Sequence, residues 1–213
     1  MVFKNSANAS ASKALGVFES QALRVKLTEG LRGKNKMKKT IIEFAKTIIL
    51  ALVIALVITT FIKPTLVKGF SMYPTISPNN YLIVNKIPYL AGEPERGDII
   101  VFKAHIYSDS GEEKDLIKRV IGIENDVIEI KDGVVYRNGE ALDESYIYGG
   151  VTPGDMTPFT VDKGYIFVMG DNRPNSMDSR DPSIGEIAVS DILGRVDLRL
   201  YPFSDIGLIN QSN

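Results

Sequence analysis

Val127-Ile128-Glu129-Ile130-Lys131-Asp132-Gly133-Val134-Val135-Tyr136-Arg137-Asn138-Gly139 is the stretch whose reading decides the fold. Short runs of branched residues alternate with Asp-Gly and Asn-Gly, the dipeptides best suited to the left-handed positions of a tight hairpin turn. The pattern predicts two successive hairpins that share Val134–Arg137 as a strand. Working outward, residues 81–87, 98–102, 115–121, 165–169 and 194–200 are further short strand-like runs. No long helical period follows residue 63, and strands do not alternate with helices. The expected class is therefore mainly β, an antiparallel sheet system folded on itself as a barrel or sandwich. Residues 108–115 are expected to be a polar, exposed connection.

Before this β region lies a different kind of segment. Residues 41–62 are almost wholly apolar, and none from Thr47 to Ile62 is charged. About 20 helical residues, at ~1.5 Å each, cover the ~30 Å hydrocarbon core of a bilayer. Lys46 lies near the first end, where its long side chain can reach the headgroups. Arg32, Lys34, Lys36, Lys38, Lys39 and Lys46 cluster before or at the start of the run, whereas only Lys63 and Lys68 follow closely. The positive-inside rule then puts the N-terminus in the cytoplasm and residues 64–213 outside. A cleaved signal peptide fits less well, because its apolar core is shorter and runs directly into a small-x-small site.

The expected organisation is a poorly ordered extension at 1–36, an anchor with a basic flank at 37–63, and an extracytoplasmic β-rich domain at 64–213. Leu15, Phe18, Ala22 and Val25 also allow an amphipathic helix on a membrane surface, and a transit peptide suits the same composition.

Composition narrows the chemistry. The 213 residues carry a net charge of −1, with 44% hydrophobic side chains, no cysteine and one histidine. Disulfides, zinc-thiolate sites and cysteine nucleophiles are excluded, as are metal sites rich in histidine. Residues 1–46 hold ten Lys/Arg against three acids, and residues 47–213 hold fifteen against twenty-three. A folded domain with an acidic balance argues against nucleic acid as a partner.

Three places could carry chemistry. Gly69-Phe70-Ser71-Met72-Tyr73-Pro74-Thr75-Ile76 puts a serine in a turn soon after the anchor, which alone is ordinary turn chemistry. An activated serine needs a base. His105 is the single histidine, and a lone histidine at a strand end is more often structural or solvent-exposed than catalytic. A lysine serves only if its ammonium is destabilised, since about one in 2,500 is neutral at pH 7 with an ordinary pKa. Lys118 is the candidate, because Leu116 and Val120 flank it on one face of a strand. The bland alternative is a lysine that protects a sheet edge. Gly170-Asp-Asn-Arg-Pro-Asn-Ser-Met-Asp-Ser-Arg180 is either a solvated loop or a buried ion-pair network that orients its neighbours.

Taken together and in order, these stretches resemble type I signal peptidase, the membrane-bound serine protease with a Ser/Lys dyad. Residues 71–76 resemble its serine box, 96–102 (Arg-Gly-Asp-Ile-Ile-Val-Phe) the following strand box, 118–122 (Lys-Arg-Val-Ile-Gly) the lysine box, and 170–180 its Gly-Asp-Asn-Arg box. The resemblance implies that Ser71 is the nucleophile and Lys118 the general base. It further implies that Ser176 hydrogen-bonds the lysine amine, that Asp178 and Arg180 pair beneath it, and that Asp171 and Arg173 are structural. The Ser71 N–H would donate to the oxyanion.

Some relatives carry a second oxyanion donor as a serine two positions before the nucleophile. This chain has Gly69 there, so water or another backbone group would have to supply it. Glu124-Asn125 stands where a Pro-Gly is common. The short hairpins suggest the compact, single-anchor form typical of Gram-positive bacteria.

The implied function is release of signal peptides from secreted preproteins at the plasma membrane, with no metal or cofactor. Preproteins and the lipid bilayer are the implied partners, and small residues are preferred at the first and third positions before the cut. Two alternatives are a non-catalytic anchored β domain acting as a binding or scaffold module, and a self-cleaving Ser/Lys repressor. The repressor is cytosolic and carries a DNA-binding segment.

Overall fold

The computed structural model describes residues 24, 26, 36–107 and 111–211, so the amphipathic reading of Leu15 to Val25 lies outside the described residues. Two compact units divide the chain, Met1–Val57 and Ile58–Asn213. Helix α1, Lys36–Phe61, is the one described helix long and apolar enough to cross a membrane. Its described part includes residues 36–40 ahead of the run 41–62, where Lys36, Lys38 and Lys39 are good helix formers. Ile48, Ile49, Leu50 and Ile54 are exposed on it and point in different directions around the axis, and an apolar surface all round suits lipid rather than a water-facing stripe. The helix stops where Ile62-Lys63-Pro64 begins, since a residue before proline is pushed out of helical geometry.

Among the described residues, twelve strands follow in two antiparallel sheets. The larger uses β1 (Ile62–Leu66), β2 (Tyr81–Asn85), β3 (Ile99–Tyr107), β4 (Glu113–Gly122), β9 (Tyr165–Met169), β10 (Ile187–Ala188), β11 (Ile192–Tyr201) and β12 (Gly207–Leu208). Its order is β1-β2-β11-β3-β4-β9-β10, with β12 against β11. The smaller sheet uses β5 (Val127–Lys131), β6 (Val134–Arg137), β7 (Glu140–Ala141) and β8 (Met156–Thr160), ordered β7-β6-β5-β8. It is an excursion between β4 and β9, which pair directly with each other.

Both predicted hairpins are present. Asp132 and Gly133 have φ of 50° and 80°, and Asn138 and Gly139 have 55° and 82°, the two left-handed positions such turns require. β1 was not legible, since Pro64 lies inside it. As an edge strand it has no ladder partner on one side, and the missing N–H is tolerated there. The connection expected at 108–115 is shorter than its polarity implied. β4 already starts at Glu113, because Tyr107 pairs with Glu113, Lys103 pairs with Asp115, and the Lys63 ammonium meets Asp115 at 2.9 Å.

The continuous apolar run in β3 packs on both faces of its sheet. Ile99 and Val101 join one core with Leu82, Val84 and Ile76, while Ile100 and Phe102 join a second with Val120 and Val168. A third core closes the smaller sheet around Ile128, Val135 and Phe167. Strands buried on both sides read as unbroken hydrophobic stretches, which is why Ile99–Phe102 shows no alternation.

Candidate active site

The loop from Val67 to Asn80 is pinned to the first core by Met72 and Ile76, which are 2% and 0% exposed. The Ile76 N–H donates to the Met72 carbonyl at 2.8 Å, so the two plugs lie one turn apart and Ser71 stands beside them, half-buried. Gly69 and Phe70 remain exposed on the way in.

Lys118 arrives from β4, where Ile100 of β3 is its cross-strand partner. It is 2% exposed, and its Nζ lies 2.8 Å from Ser71 Oγ and 3.0 Å from the Ile117 carbonyl. No carboxylate accepts a hydrogen bond from it among the described residues. Burial pulls its pKa down to about 8; Asp178 and Asp171 act in the other direction, and the Arg180 charge adds to the depression. The structure therefore brings Ser71 and Lys118 together as one hydrogen-bonded pair.

Pairing of β4 with β9 delivers the polar box to the same place. Arg119 lies opposite Met169, so continuing that register brings Gly170 level with Lys118. A Cβ on Gly170 would collide with Ser176 Oγ and with the Ser71 carbonyl, and only glycine fits between them. Asn172 then holds the serine loop. Its N–H donates to the Ser71 carbonyl at 2.9 Å and its amide to the Phe70 carbonyl at 3.1 Å.

Of the two readings of residues 170–180, the buried network is the one observed. Arg180 grips Asp178 with two N–H groups at 2.8 and 2.9 Å, and Asp178 also accepts the Gly170 N–H at 2.9 Å. Burial raises the Asp178 pKa, but the bond and charge of Arg180 outweigh it, so the carboxyl titrates below its ordinary range. Asp171 is fully buried. It takes a bidentate pair from Arg119 at 2.9 and 2.8 Å, and a hydroxyl bond from Thr75 at 2.5 Å. Arg173 donates to the Gly170 carbonyl at 3.0 Å and pairs with Glu144.

Ser176 Oγ is buried against Gly170 and bonds the Asp178 carboxyl, which lowers that group's pKa, while the Lys118 amine donates to Ser71 and Ile117. His105 plays no part in this pair. It is exposed, and its ring nitrogens meet Glu113 at 2.7 Å and Asp191 at 3.0 Å. Sequence reasoning also passed over Arg119, Thr75, Glu144 and Tyr146. Arg119 had a signal, a second cation within the apolar run Leu116–Ile121; Glu144 and Tyr146 lie in a loop with no periodicity to mark them. Among the described residues, no cluster of three or more His, Asp or Glu could hold a metal ion.

Comparison with known proteins bears on the family. Residues 41–201 match the family described as signal peptidase, peptidase S26. Signal peptidase I T of Bacillus subtilis (strain 168) is 38% identical over 184 residues, which cover 81% of this chain and 91% of that protein. Probable signal peptidase I-2 of Synechocystis sp. is 35% identical over 197 residues, 86% of this chain and 86% of that protein. The crystal structure of a signal peptidase I from Enterococcus faecalis V583 is 30% identical and covers 48% of this chain and 96% of its own, with a TM-score of 0.39. A family match running from the apolar helix to the end of β11, together with relatives alike over most of their length, means that this chain belongs to the signal peptidase family, peptidase S26.

Proposed function

We propose that this chain releases signal peptides from preproteins by serine peptidase chemistry, with Ser71 as nucleophile and Lys118 as general base. One observation carries the reading: an amine 2% exposed, lowered to about 8 by burial, lies 2.8 Å from the serine Oγ. At pH 8 about half of such amines are neutral, against well under 1% for an ordinary lysine. Neutral Lys118 accepts the Ser71 proton as Oγ bonds to the scissile carbonyl carbon. The oxyanion faces the Ser71 N–H. Collapse breaks the C–N bond, and the lysine ammonium returns the proton to the leaving amine. Water, deprotonated in turn by Lys118, hydrolyses the acyl-serine.

Asp178 and Arg180 support the wall beside the amine, while Asp171 and Arg173 fix the loop that holds the Ser71 carbonyl. The substrate enters extended, adding a strand beside the serine loop. Helix α1 anchors the enzyme in the plasma membrane, with the basic N-terminal side cytoplasmic and residues 64–213 outside. Preproteins and lipid are then its partners.

The test is cleavage of a purified preprotein by the wild type, Ser71→Ala and Lys118→Ala. Both variants should lose at least about a thousandfold in rate, as removal of a nucleophile or base does. Full activity in either would sink the dyad. Protease protection in membrane vesicles checks the orientation; a cytoplasmic β domain would overturn it.

A further inference from the structure

We infer that residues 144–148, in the loop between β7 and β8, are a positioning strap that sets the distance between Ser71 and Lys118. This rests on the dyad reading above and adds residues to it that no motif marks. Within five positions the strap touches all three parts of the site. The Glu144 carboxylate, 6% exposed, pairs with Arg173, whose guanidinium holds the Gly170 carbonyl at 3.0 Å. Tyr146 donates its hydroxyl to Glu144 at 2.9 Å, and its ring lies 4.0 Å from the Arg119 guanidinium carbon. The Tyr148 N–H donates to the Asp171 carbonyl at 2.9 Å, and its ring meets Tyr73 edge-on at 5.3 Å.

Each contact is one link from the reacting pair. Arg119 follows Lys118 in β4, Gly170 packs against the Ser71 carbonyl, and Tyr73 is two residues past Ser71. No strap side chain reaches Ser71 Oγ or Lys118 Nζ among the described contacts, so these are positioning residues. A buried Glu–Arg pair is a poor choice for stability alone, because apolar residues of similar volume often do as well. What the pair supplies here is direction. It orients Arg173 onto one carbonyl, and Tyr146 caps the guanidinium on the strand that carries the lysine. The strap leaves the smaller sheet after β7 and returns to it at β8, so that sheet is tied to the geometry of cleavage.

The experiment compares Tyr146→Leu, Tyr146→Phe and Glu144→Gln in the full chain in detergent, alongside Lys118→Ala. It measures kcat, KM, the pH–rate profile on a preprotein, and thermal unfolding. Displacements near 1 Å away from the chemistry can cost about a hundredfold. Tyr146→Leu should therefore lower kcat about 10- to 100-fold with KM within about twofold. Its acid limb should also move to higher pH, because the strand that seats Lys118 in its dry pocket is no longer held from its Arg119 face. Tyr146→Phe keeps the ring on Arg119 and should recover most of kcat. Should Tyr146→Leu fold poorly, Glu144→Gln, expected to cost about tenfold, carries the same readout. Unchanged kcat and acid limb in folded Tyr146→Leu or Glu144→Gln would overturn the strap, even with a lower melting temperature. Activity remaining in Lys118→Ala would instead overturn the dyad, so the two failures are distinguishable.

Discussion

Lys118 and Arg119 are neighbours in β4, 2% and 1% exposed, and they point to opposite faces of the strand. Arg119 is saturated: Asp171 grips it with both oxygens, the Gly97 carbonyl takes a third N–H at 3.0 Å, and Tyr146 covers its face. Lys118 has a hydroxyl and a carbonyl, and no carboxylate bonded to it. The same burial thus yields a permanent charge on one side and a titrating amine on the other. On the dyad proposed above, the difference teaches how a base is made from lysine: it is buried with no carboxylate bonded to it. A guanidinium cannot be used this way, because a guanidinium is not deprotonated in proteins.

Exchanging the cations should break the contrast most severely. Lys118→Arg keeps charge and length but cannot take a proton, so cleavage should fall at least about a thousandfold, near 4 kcal/mol of barrier. Single-turnover assays on folded protein check this, and activity within tenfold of wild type would mean the base lies elsewhere. On the other side, Asp171→Ala strands a buried guanidinium. Urea unfolding should register a loss of about 3–5 kcal/mol, as removal of one partner from a buried pair does.

The pH dependence sharpens the comparison further. Folded Lys118 titrates near 8 against 10.5 unfolded, so between these values the unfolded chain binds more protons and stability rises with pH. Below pH 8 the buried ammonium is a full penalty. Lys118→Met should therefore stabilise the protein at pH 7 by up to about 3 kcal/mol, and that gain should vanish by about pH 10.5. Calorimetry across this range reads it directly, and a constant difference between the two proteins would contradict the unpaired-amine account. The smallest effect belongs to Gly69. Nothing lies within 4 Å of a Cβ built there, so Gly69→Ser should fold normally. With a hydroxyl positioned to join the Ser71 N–H, kcat should rise about two- to tenfold, well short of a fully placed oxyanion donor. A fall in kcat would show that the hole is already complete.

Much of this architecture was legible before any coordinates. Asp132-Gly133 and Asn138-Gly139 announce their turns because few dipeptides accept two left-handed residues. Lys118 stood out because Leu116 and Val120 flank it on one face, although a sheet-edge lysine reads the same way and the resemblance was needed to choose between them. Arg119, by contrast, carried only the hint of a second cation in an apolar run, since nothing local reveals that Asp171 returns to meet it from 52 residues away. Ser176 lies where its order along the chain puts it, beside Gly170 and Asp178, but which neighbour its Oγ faces is a rotamer choice that no spacing encodes. Glu144 and Tyr146 depend wholly on where the loop after β7 passes.

The sequence separation of these contacts has a consequence for the cell. Ser71 meets Lys118 across 47 residues, Thr75 meets Asp171 across 96, and Asn172 reaches Phe70 across 102. Contacts of that span form late, once loop closure has been overcome. Until then the serine sits in an open loop and the lysine is an ordinary hydrated ammonium, almost wholly protonated at neutral pH. On the dyad proposed above, a half-made chain is therefore inert, because the low-dielectric pocket that creates the base exists only once the fold is complete.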